Sequence, residues 1–142
     1  MDIRRLTPDY AVSPQIAVED LAAVKAAGFT TVIDNRPDAE IPADLHTPAM
    51  QAAAEALGLR FIANPVIGGA LTRENVQAQA AAMAGSSGPV FAYCASGNRC
   101  SIVWALTQAG SRPADELIGI PARFGYNLEH LRPQLEVMAE KG

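Results

Sequence analysis

The chain has 142 residues, of which 49% are hydrophobic and 18% charged, and this balance excludes an intrinsically disordered protein. Its formal net charge is −4, and its 11 Lys and Arg residues are scattered, which argues against a nucleic-acid-binding surface. No apolar run reaches the roughly 18 residues that a membrane helix needs. We therefore expect one domain over residues 1–142 that binds neither nucleic acid nor membrane.

The cysteine content favours a reducing compartment. The chain has two cysteines, Cys94 and Cys100, which are too few for the disulfide framework of a secreted protein. The residues after Met1 do not form the apolar core of a secretory signal. No metal-ligand spacing or nucleotide-binding glycine pattern is present. These features predict a cytoplasmic protein without a metal or a cofactor.

Patterns typical of strands and helices alternate along the chain. The predicted strands are residues 10–12, 29–33, 59–63 and 90–93. The predicted helices are residues 14–27, 47–57, 73–84 after a Thr72 cap, and 101–109, followed by two helices within residues 113–140 that break near Gly125 and Pro133. This alternation predicts an α/β fold of three layers, with a mainly parallel central sheet flanked by helices.

The ends of three predicted strands carry polar or reactive residues. Asp34, Asn64 and Cys94 each directly follow a strand. Ligands bind at the carboxyl ends of the strands in sheets of this kind. We therefore expect these three loops to lie on one rim of the sheet, with Asn64 and the Gly68–Gly69 pair shaping its mouth or serving only as a turn.

The third of these loops carries the main candidate for chemistry, a cysteine followed by an arginine at the start of a helix. Backbone N–H groups in such a loop can form an anion-binding nest, to which the helix N-terminus adds positive charge. Arg99 supplies a fork of donors for an oxyanion. These donors would lower the pKa of Cys94 and make it a nucleophile; the alternative is a buried, inert cysteine. The anion-binding residues in this prediction are Ala95, Ser96, Gly97, Asn98, Cys100 and Ser101.

This loop resembles the active-site loop shared by cysteine-dependent phosphatases and rhodaneses. Together with residues 32–38 and 104–106, it resembles the phosphatase-like domain family of beta-lactamase hydrolase-like proteins, over roughly residues 3–135. The resemblance implies a dual-specificity-phosphatase-like fold. Some members of that family are fused to a persulfide dioxygenase domain, which implies such an enzyme as a partner.

Two observations favour sulfur transfer over phosphate hydrolysis. Four residues separate Cys94 from Arg99, as in rhodanese-type loops, whereas protein tyrosine phosphatases place five there. Residues 64–71 contain no Asp, Glu or His to protonate a leaving group, and Asp34 is the only substitute on the rim. We therefore expect a rhodanese-type sulfurtransferase of sulfide or persulfide metabolism. It would carry a persulfide on Cys94 between a small sulfur donor and a thiophilic acceptor such as cyanide, sulfite or glutathione.

Two alternatives remain open. The first is a cysteine-dependent phosphatase that hydrolyses phosphoesters, with Asp34 or water as the proton source. The second is a non-catalytic thiol redox or anion-binding module in which Cys94 and Cys100 form a disulfide on mild oxidation.

Several other residues have more than one possible role. Cys100 stands where phosphatases favour a Ser or Thr that hydrogen-bonds the nucleophile, and either it or Ser101 could serve. Cys100 could also resolve an oxidised Cys94, or only pack against the sheet. Arg36 belongs to the anion-binding rim or pairs with Asp34 or Asp38. The remaining predictions are Arg123 as a further rim candidate, His46 and His130 as surface residues, and Trp104 and Leu106 as core residues.

Overall fold

A five-stranded sheet forms the centre of the computed structural model, which describes residues 1–141. The strands are β1 Arg4–Thr7, β2 Tyr10–Ser13, β3 Thr31–Asp34, β4 Arg60–Ala63 and β5 Val90–Tyr93. Their order across the sheet is β1-β2-β5-β3-β4, and only β1 runs antiparallel to its neighbour. The three central strands are buried along their whole length, as expected for a parallel sheet covered on both faces.

Six α-helices within residues 1–141 cover the two faces of the sheet. They are α1 Leu21–Ala26, α2 Thr47–Ala56, α3 Arg73–Ala84, α4 Asn98–Gln108, α5 Ala114–Ala122 and α6 Arg132–Lys141. The first two pack around Val32 and Phe91 on one face, and the other four pack around Ala92 and Trp104 on the opposite face. The predicted three-layer, mainly parallel α/β fold is confirmed. None of the helices within residues 1–141 combines the length and apolar character needed to cross a bilayer.

The structure differs from the predicted elements at several boundaries. The strand β1 was not predicted, because only Leu6 in it is buried and the other three residues are polar and partly or fully exposed. The helix predicted over residues 14–27 shortens to a 3-10 turn, Val18–Asp20, followed by α1, because the Asp20 side chain accepts a hydrogen bond from the Ala17 N–H and starts the helix there. Pro133 lies in the first turn of α6, where a proline is tolerated, and does not break it.

The start of α4 matters most for the site. Gly97 adopts a φ of 94° and caps the helix, so that α4 begins at Asn98 and not at residue 101. This left-handed conformation is one that glycine adopts without steric cost. As a result, Arg99, Cys100 and Ser101 all lie in the first turn of α4.

A set of buried amide side chains ties the strand ends to this first turn. We call Asn35, Asn64 and Gln79 the buried amide chain. Asn35 Nδ2 donates to Gln79 Oε1 at 2.9 Å, and Asn64 Nδ2 donates to the same oxygen at 2.8 Å. Gln79 Nε2 donates to the hydroxyl of Tyr10, which in turn donates to the Cys100 carbonyl oxygen at 2.9 Å. The loops after β3 and β4 are thereby fixed relative to α3 and α4. Asn64 therefore has a structural role here.

Candidate active site

Cys94 lies at the carboxyl end of β5, directly before the turn into α4. Its thiol is fully buried, and its sulfur accepts a hydrogen bond from the Gly97 N–H at 3.1 Å. The Cys94 N–H donates to the Ser13 carbonyl oxygen on β2 at 3.3 Å, which continues the sheet to the cysteine itself. The nucleophile candidate is thus held by the sheet, while the sulfur faces the N-terminus of α4.

Hydrogen bonds lower the pKa of the Cys94 thiol to about 5. The largest cause is a hydrogen bond from the Cys100 side chain, and the N–H groups of Cys100, Gly97 and Ser96 add to it and outweigh the effect of burial. Burial, followed by the neighbouring Cys94, raises the pKa of Cys100 well above its ordinary value. Cys94 is therefore a thiolate at neutral pH, and Cys100 stays a protonated thiol beside it.

This arrangement decides between the two candidates for the residue that supports the nucleophile. The Ser101 hydroxyl donates to the Gly97 carbonyl oxygen at 2.9 Å and so stabilises the turn. The Cys100 side chain instead is the largest cause of the lowered pKa of the Cys94 thiol. Neither cysteine is in a disulfide in this structure, and a disulfide between them stays a prediction.

The Cys100 thiol can be tested through the titration of Cys94. In Cys100→Ala we expect the pKa of Cys94 to rise by about one unit, because one hydrogen bond to a charged group contributes about 1.5 kcal/mol. The thiolate fraction in mildly acidic buffer then falls. Cys100→Ser, which keeps a donor, should titrate nearly as the wild type does. The pH dependence of alkylation by iodoacetamide measures both, and an unchanged profile in Cys100→Ala would contradict the assignment.

Arg99 is held by a glutamate that the sequence analysis did not single out. Its Nη1 and Nη2 atoms donate to Glu40 Oε2 and Oε1 at 2.9 and 2.8 Å, and Nη1 also donates to the Val66 carbonyl oxygen at 2.7 Å. Arg36 Nε donates to Glu40 Oε1 at 3.2 Å. The Cys94 thiolate contributes to raising the pKa of Arg99, behind the larger effect of Glu40, so the two candidate catalytic groups interact electrostatically. Glu40 therefore joins both rim arginines beside the loop.

Tyr126 also contacts the loop between Cys94 and α4. Its hydroxyl donates to the Ser96 carbonyl oxygen at 2.7 Å and accepts a hydrogen bond from Arg4 Nη1 at 2.6 Å. A Cβ atom on Gly97 would lie 2.2 Å from this hydroxyl. Arg123, the candidate suggested by the sequence in this region, points elsewhere and donates to the Leu6 carbonyl oxygen at 3.5 Å. No local pattern marks Tyr126, since it reaches the loop from 30 residues along the chain.

The remaining loop residues line its outer surface. Ala95 and Ser96 are exposed, and the Ser96 hydroxyl accepts a hydrogen bond from the Asn98 N–H at 3.2 Å. Together with Arg4 and Tyr126 they border an open cavity of about 570 Å³. Among residues 1–141, no three His, Cys, Asp or Glu side chains cluster closely enough to hold a metal ion.

Asp34 lies beside the Cys94 loop at the end of β3, near enough that Cys94 is one of the smaller causes that raise its pKa. It is paired in register with Tyr93 and so shares that residue's face of the sheet, whereas Cys94 packs on the opposite face. Its Oδ1 atom accepts a hydrogen bond from the Arg36 N–H at 2.9 Å, and its buried Oδ2 atom has no partner among residues 1–141. Burial raises its pKa to about 6. Asp34 lines a cavity of about 300 Å³ with Arg36 and Ile67, and Cys94 does not border that cavity. No hydrogen bond joins the Asp34 carboxyl to the Cys94 sulfur among residues 1–141.

Two of the remaining predictions concern the mouth of the site. Gly68 and Gly69 line a cavity of about 320 Å³ together with Arg99 and His130. His130, predicted as an isolated surface residue, is exposed but borders the same cavity as the candidate catalytic arginine. His46 instead hydrogen-bonds the Ile41 carbonyl oxygen and stays outside the site.

Comparison with known proteins identifies the family. Residues 2–111 match the phosphatase-like domain of beta-lactamase hydrolase-like proteins. The chain belongs to this family. It is 32% identical over 141 residues to a beta-lactamase hydrolase-like protein of Xylella fastidiosa (strain 9a5c), covering 98% of this chain and 33% of that protein. A protein of the same description from Agrobacterium fabrum is 31% identical over 105 residues, covering 74% of this chain and 24% of that protein. The chain thus spans a third or less of these curated relatives.

Solved structures place the domain among cysteine-phosphatase-like folds. A candidate phosphatase from Neisseria meningitidis superposes with a TM-score of 0.83 and 30% identity, covering 97% of this chain and 99% of that one. Tk-PTP in its active form gives a TM-score of 0.74 with 19% identity, covering 98% and 96% of the two chains. The core catalytic domain of a PP-IP phosphatase from S. cerevisiae gives 0.65 with 10% identity, covering 86% and 74%. The latter two share the fold alone.

The expectation of a rhodanese-type sulfurtransferase is wrong. The family is phosphatase-like, and so are the solved structures that it resembles. The expectation rested on the number of residues between Cys94 and Arg99. That number does not decide the chemistry, because Gly97 closes the shorter loop and still leaves both residues near enough to interact. The domain is cysteine-phosphatase-like.

Proposed function

We propose that this domain is a cysteine-dependent phosphatase that hydrolyses phosphate monoesters through a phosphocysteine on Cys94. The observation that carries the proposal is the Cys94 sulfur itself. It is a thiolate at neutral pH, hydrogen-bonded at 3.1 Å by the Gly97 N–H at the start of α4, and it interacts electrostatically with Arg99. A low-pKa nucleophile beside backbone N–H donors and a guanidinium suits attack on a phosphoryl group.

The reaction would proceed in two displacements. The Cys94 thiolate attacks phosphorus, the S–P bond forms, and the bond from phosphorus to the ester oxygen breaks. Arg99 and the loop N–H groups stabilise the charge on the non-bridging oxygens in the transition state. Water then attacks phosphorus and gives up a proton, the S–P bond breaks, and inorganic phosphate leaves with the thiolate regenerated.

The proton for the leaving oxygen comes from water in this proposal. Residues 64–71 contain no Asp, Glu or His, and Asp34 lies on the other face of the sheet. Without a general acid, the rate depends strongly on how well the leaving group carries negative charge. The substrates best suited to this site are therefore aryl phosphates and similarly activated esters.

The cytoplasmic location and the persulfide dioxygenase partner stay predictions.

The proposal is tested by trapping the intermediate. Wild-type protein is mixed with p-nitrophenyl phosphate and quenched with acid, and nitrophenol release and the mass of the protein are measured. We expect turnover and one phosphoryl group on the peptide that contains Cys94. Cys100→Ser serves as the matched control, since it should carry the same label and so exclude Cys100 as the acceptor. If neither nitrophenol nor a phosphoryl adduct forms, the proposed function is wrong.

A further inference from the structure

We infer that Glu40 is a positioning residue, which orients the Arg99 guanidinium so that its Nε–Nη2 edge is presented to an anion at the Cys94 loop. The inference rests on the proposed function and adds a residue to it. Glu40 lies in the loop after β3, far from the loop after β5 along the chain. The two are joined by a bidentate ion pair with oxygen-to-nitrogen distances of 2.8 and 2.9 Å.

The hydrogen bonds of Arg99 determine which of its donors remain for a ligand. A guanidinium carries five N–H groups, two on each Nη atom and one on Nε. Both Nη1 hydrogens are used, by Glu40 Oε2 and by the Val66 carbonyl oxygen, and one Nη2 hydrogen is used by Glu40 Oε1. Nε has no partner among residues 1–141. The free donors are thus Nε–H and one Nη2–H, which lie parallel on one edge and match two oxygens of a phosphate.

Glu40 is itself held in place. It ends a short 3-10 turn, Asp38–Glu40, that precedes α2. Asp38 Oδ1 accepts hydrogen bonds from the N–H and the hydroxyl of Thr47, at 2.9 and 3.2 Å, at the start of α2. Arg36 donates to Glu40 Oε1 from the other side at 3.2 Å. Glu40 is exposed, so its two arginine partners, Arg36 and Arg99, are what hold its carboxylate beside the loop.

Two effects of Glu40 on the reaction oppose each other and can be separated. Its negative charge lies beside the anion and weakens binding of the ground state by repulsion. Its orientation of Arg99 speeds the chemical step, since reaction rates depend steeply on the placement of the stabilising groups. A positioning role therefore predicts that Glu40→Gln lowers kcat while leaving phosphate binding unchanged or tighter. A group that only added packing or stability would not separate these quantities in this way.

The first measurement is the kinetics of Glu40→Gln with p-nitrophenyl phosphate, alongside calorimetric titration with inorganic phosphate. We expect kcat to fall by about 10- to 100-fold. The dissociation constant for phosphate should be no weaker than that of the wild type. Glu55→Gln removes the same charge from the exposed face of α2 and should match the wild type. An unchanged or higher kcat in Glu40→Gln overturns the inference, as does a loss of activity that is matched by weaker phosphate binding.

The second measurement needs no turnover, so it separates this inference from the proposed function. Phosphate is titrated into Arg99→Ala with and without added guanidinium, and then into Arg99→Ala combined with Glu40→Gln. We expect guanidinium to restore phosphate binding only when Glu40 is present, because the carboxylate docks the free cation in the same orientation. Equal rescue in both backgrounds overturns the inference. If the wild type hydrolyses no ester but rescue still requires Glu40, the proposed function fails and the positioning role stands.

Discussion

Cys94→Ser is expected to lower kcat/KM for p-nitrophenyl phosphate by at least about 10⁴-fold, in line with the loss of a nucleophile in other enzymes that use covalent catalysis. The pKa of the Cys94 thiol is about 5, so the wild type is fully ionised at neutral pH. A serine hydroxyl at the same place stays protonated, because the same hydrogen bonds cannot lower its far higher pKa to neutrality. Steady-state hydrolysis with wild-type and variant protein measures the loss.

Phosphate binding provides the control for Cys94→Ser. The variant keeps Arg99 and the N–H groups of the turn, so calorimetry should show phosphate bound at least as tightly as in the wild type. The exchange also removes a thiolate that repels the anion. A variant that loses both binding and turnover would point to a collapsed loop. A variant that retains turnover would show that Cys94 is not the nucleophile.

Gly97→Ala is expected to damage both the stability of the fold and the activity. The φ of 94° costs a residue with a side chain about 1–2 kcal/mol. The new Cβ atom would also lie 2.2 Å from the Tyr126 hydroxyl, so the turn must shift, and overpacking of this kind adds about 1–3 kcal/mol. The shift moves the Gly97 N–H away from the Cys94 sulfur, so we expect kcat/KM to fall by about 100-fold. Thermal unfolding and hydrolysis measure the two effects.

A second glycine, at the other end of α4, separates the cost of the backbone conformation from the cost of the steric clash with Tyr126. Gly110 has a φ of 91°, and the nearest atom to its added Cβ would be Ala139 Cα at 3.9 Å. Gly110→Ala should therefore show the cost of the backbone conformation alone, with kcat/KM unchanged. Combining Gly97→Ala with Tyr126→Phe removes the hydroxyl and should recover part of the lost stability. Equal effects of the two glycine substitutions on activity would contradict a role for the contact with Tyr126.

The strands and helices with a periodic hydrophobic pattern could be predicted from the sequence. Residues 90–93 were predicted as a strand and form β5 as predicted, and the helix predicted after Thr72 runs over Arg73–Ala84 with that cap. Alternating buried strands and amphipathic helices leave a periodic pattern, because each element buries one face or both. The short strand β1 leaves no such pattern. Its polar, partly exposed residues follow from its place at the edge of the sheet.

The residues of the candidate site could be predicted only where they lie close together in the sequence. Cys94, Gly97 and Arg99 belong to one turn, and the local order of residue types was enough to single them out. Glu40 and Tyr126 reach the same turn from 59 and 30 residues away, and nothing in their own neighbourhoods indicates a contact with it. The function was misjudged for a related reason. Counting the residues between Cys94 and Arg99 gives the length of the loop but not its closure at Gly97, which leaves the two residues near enough to interact.

The buried amide chain has a consequence for the order in which this protein acquires its structure. Asn35, Asn64 and Gln79 meet across separations of 15 to 44 residues, and the Tyr10 hydroxyl links them to Cys100 across 90. Such contacts close late, because the entropy of long intervening segments must be lost first. The turn that holds Cys94 therefore gains its final shape only when nearly the whole domain has collapsed. The candidate nucleophile is thus placed by cooperative folding of distant segments and not by its own local stretch of chain alone.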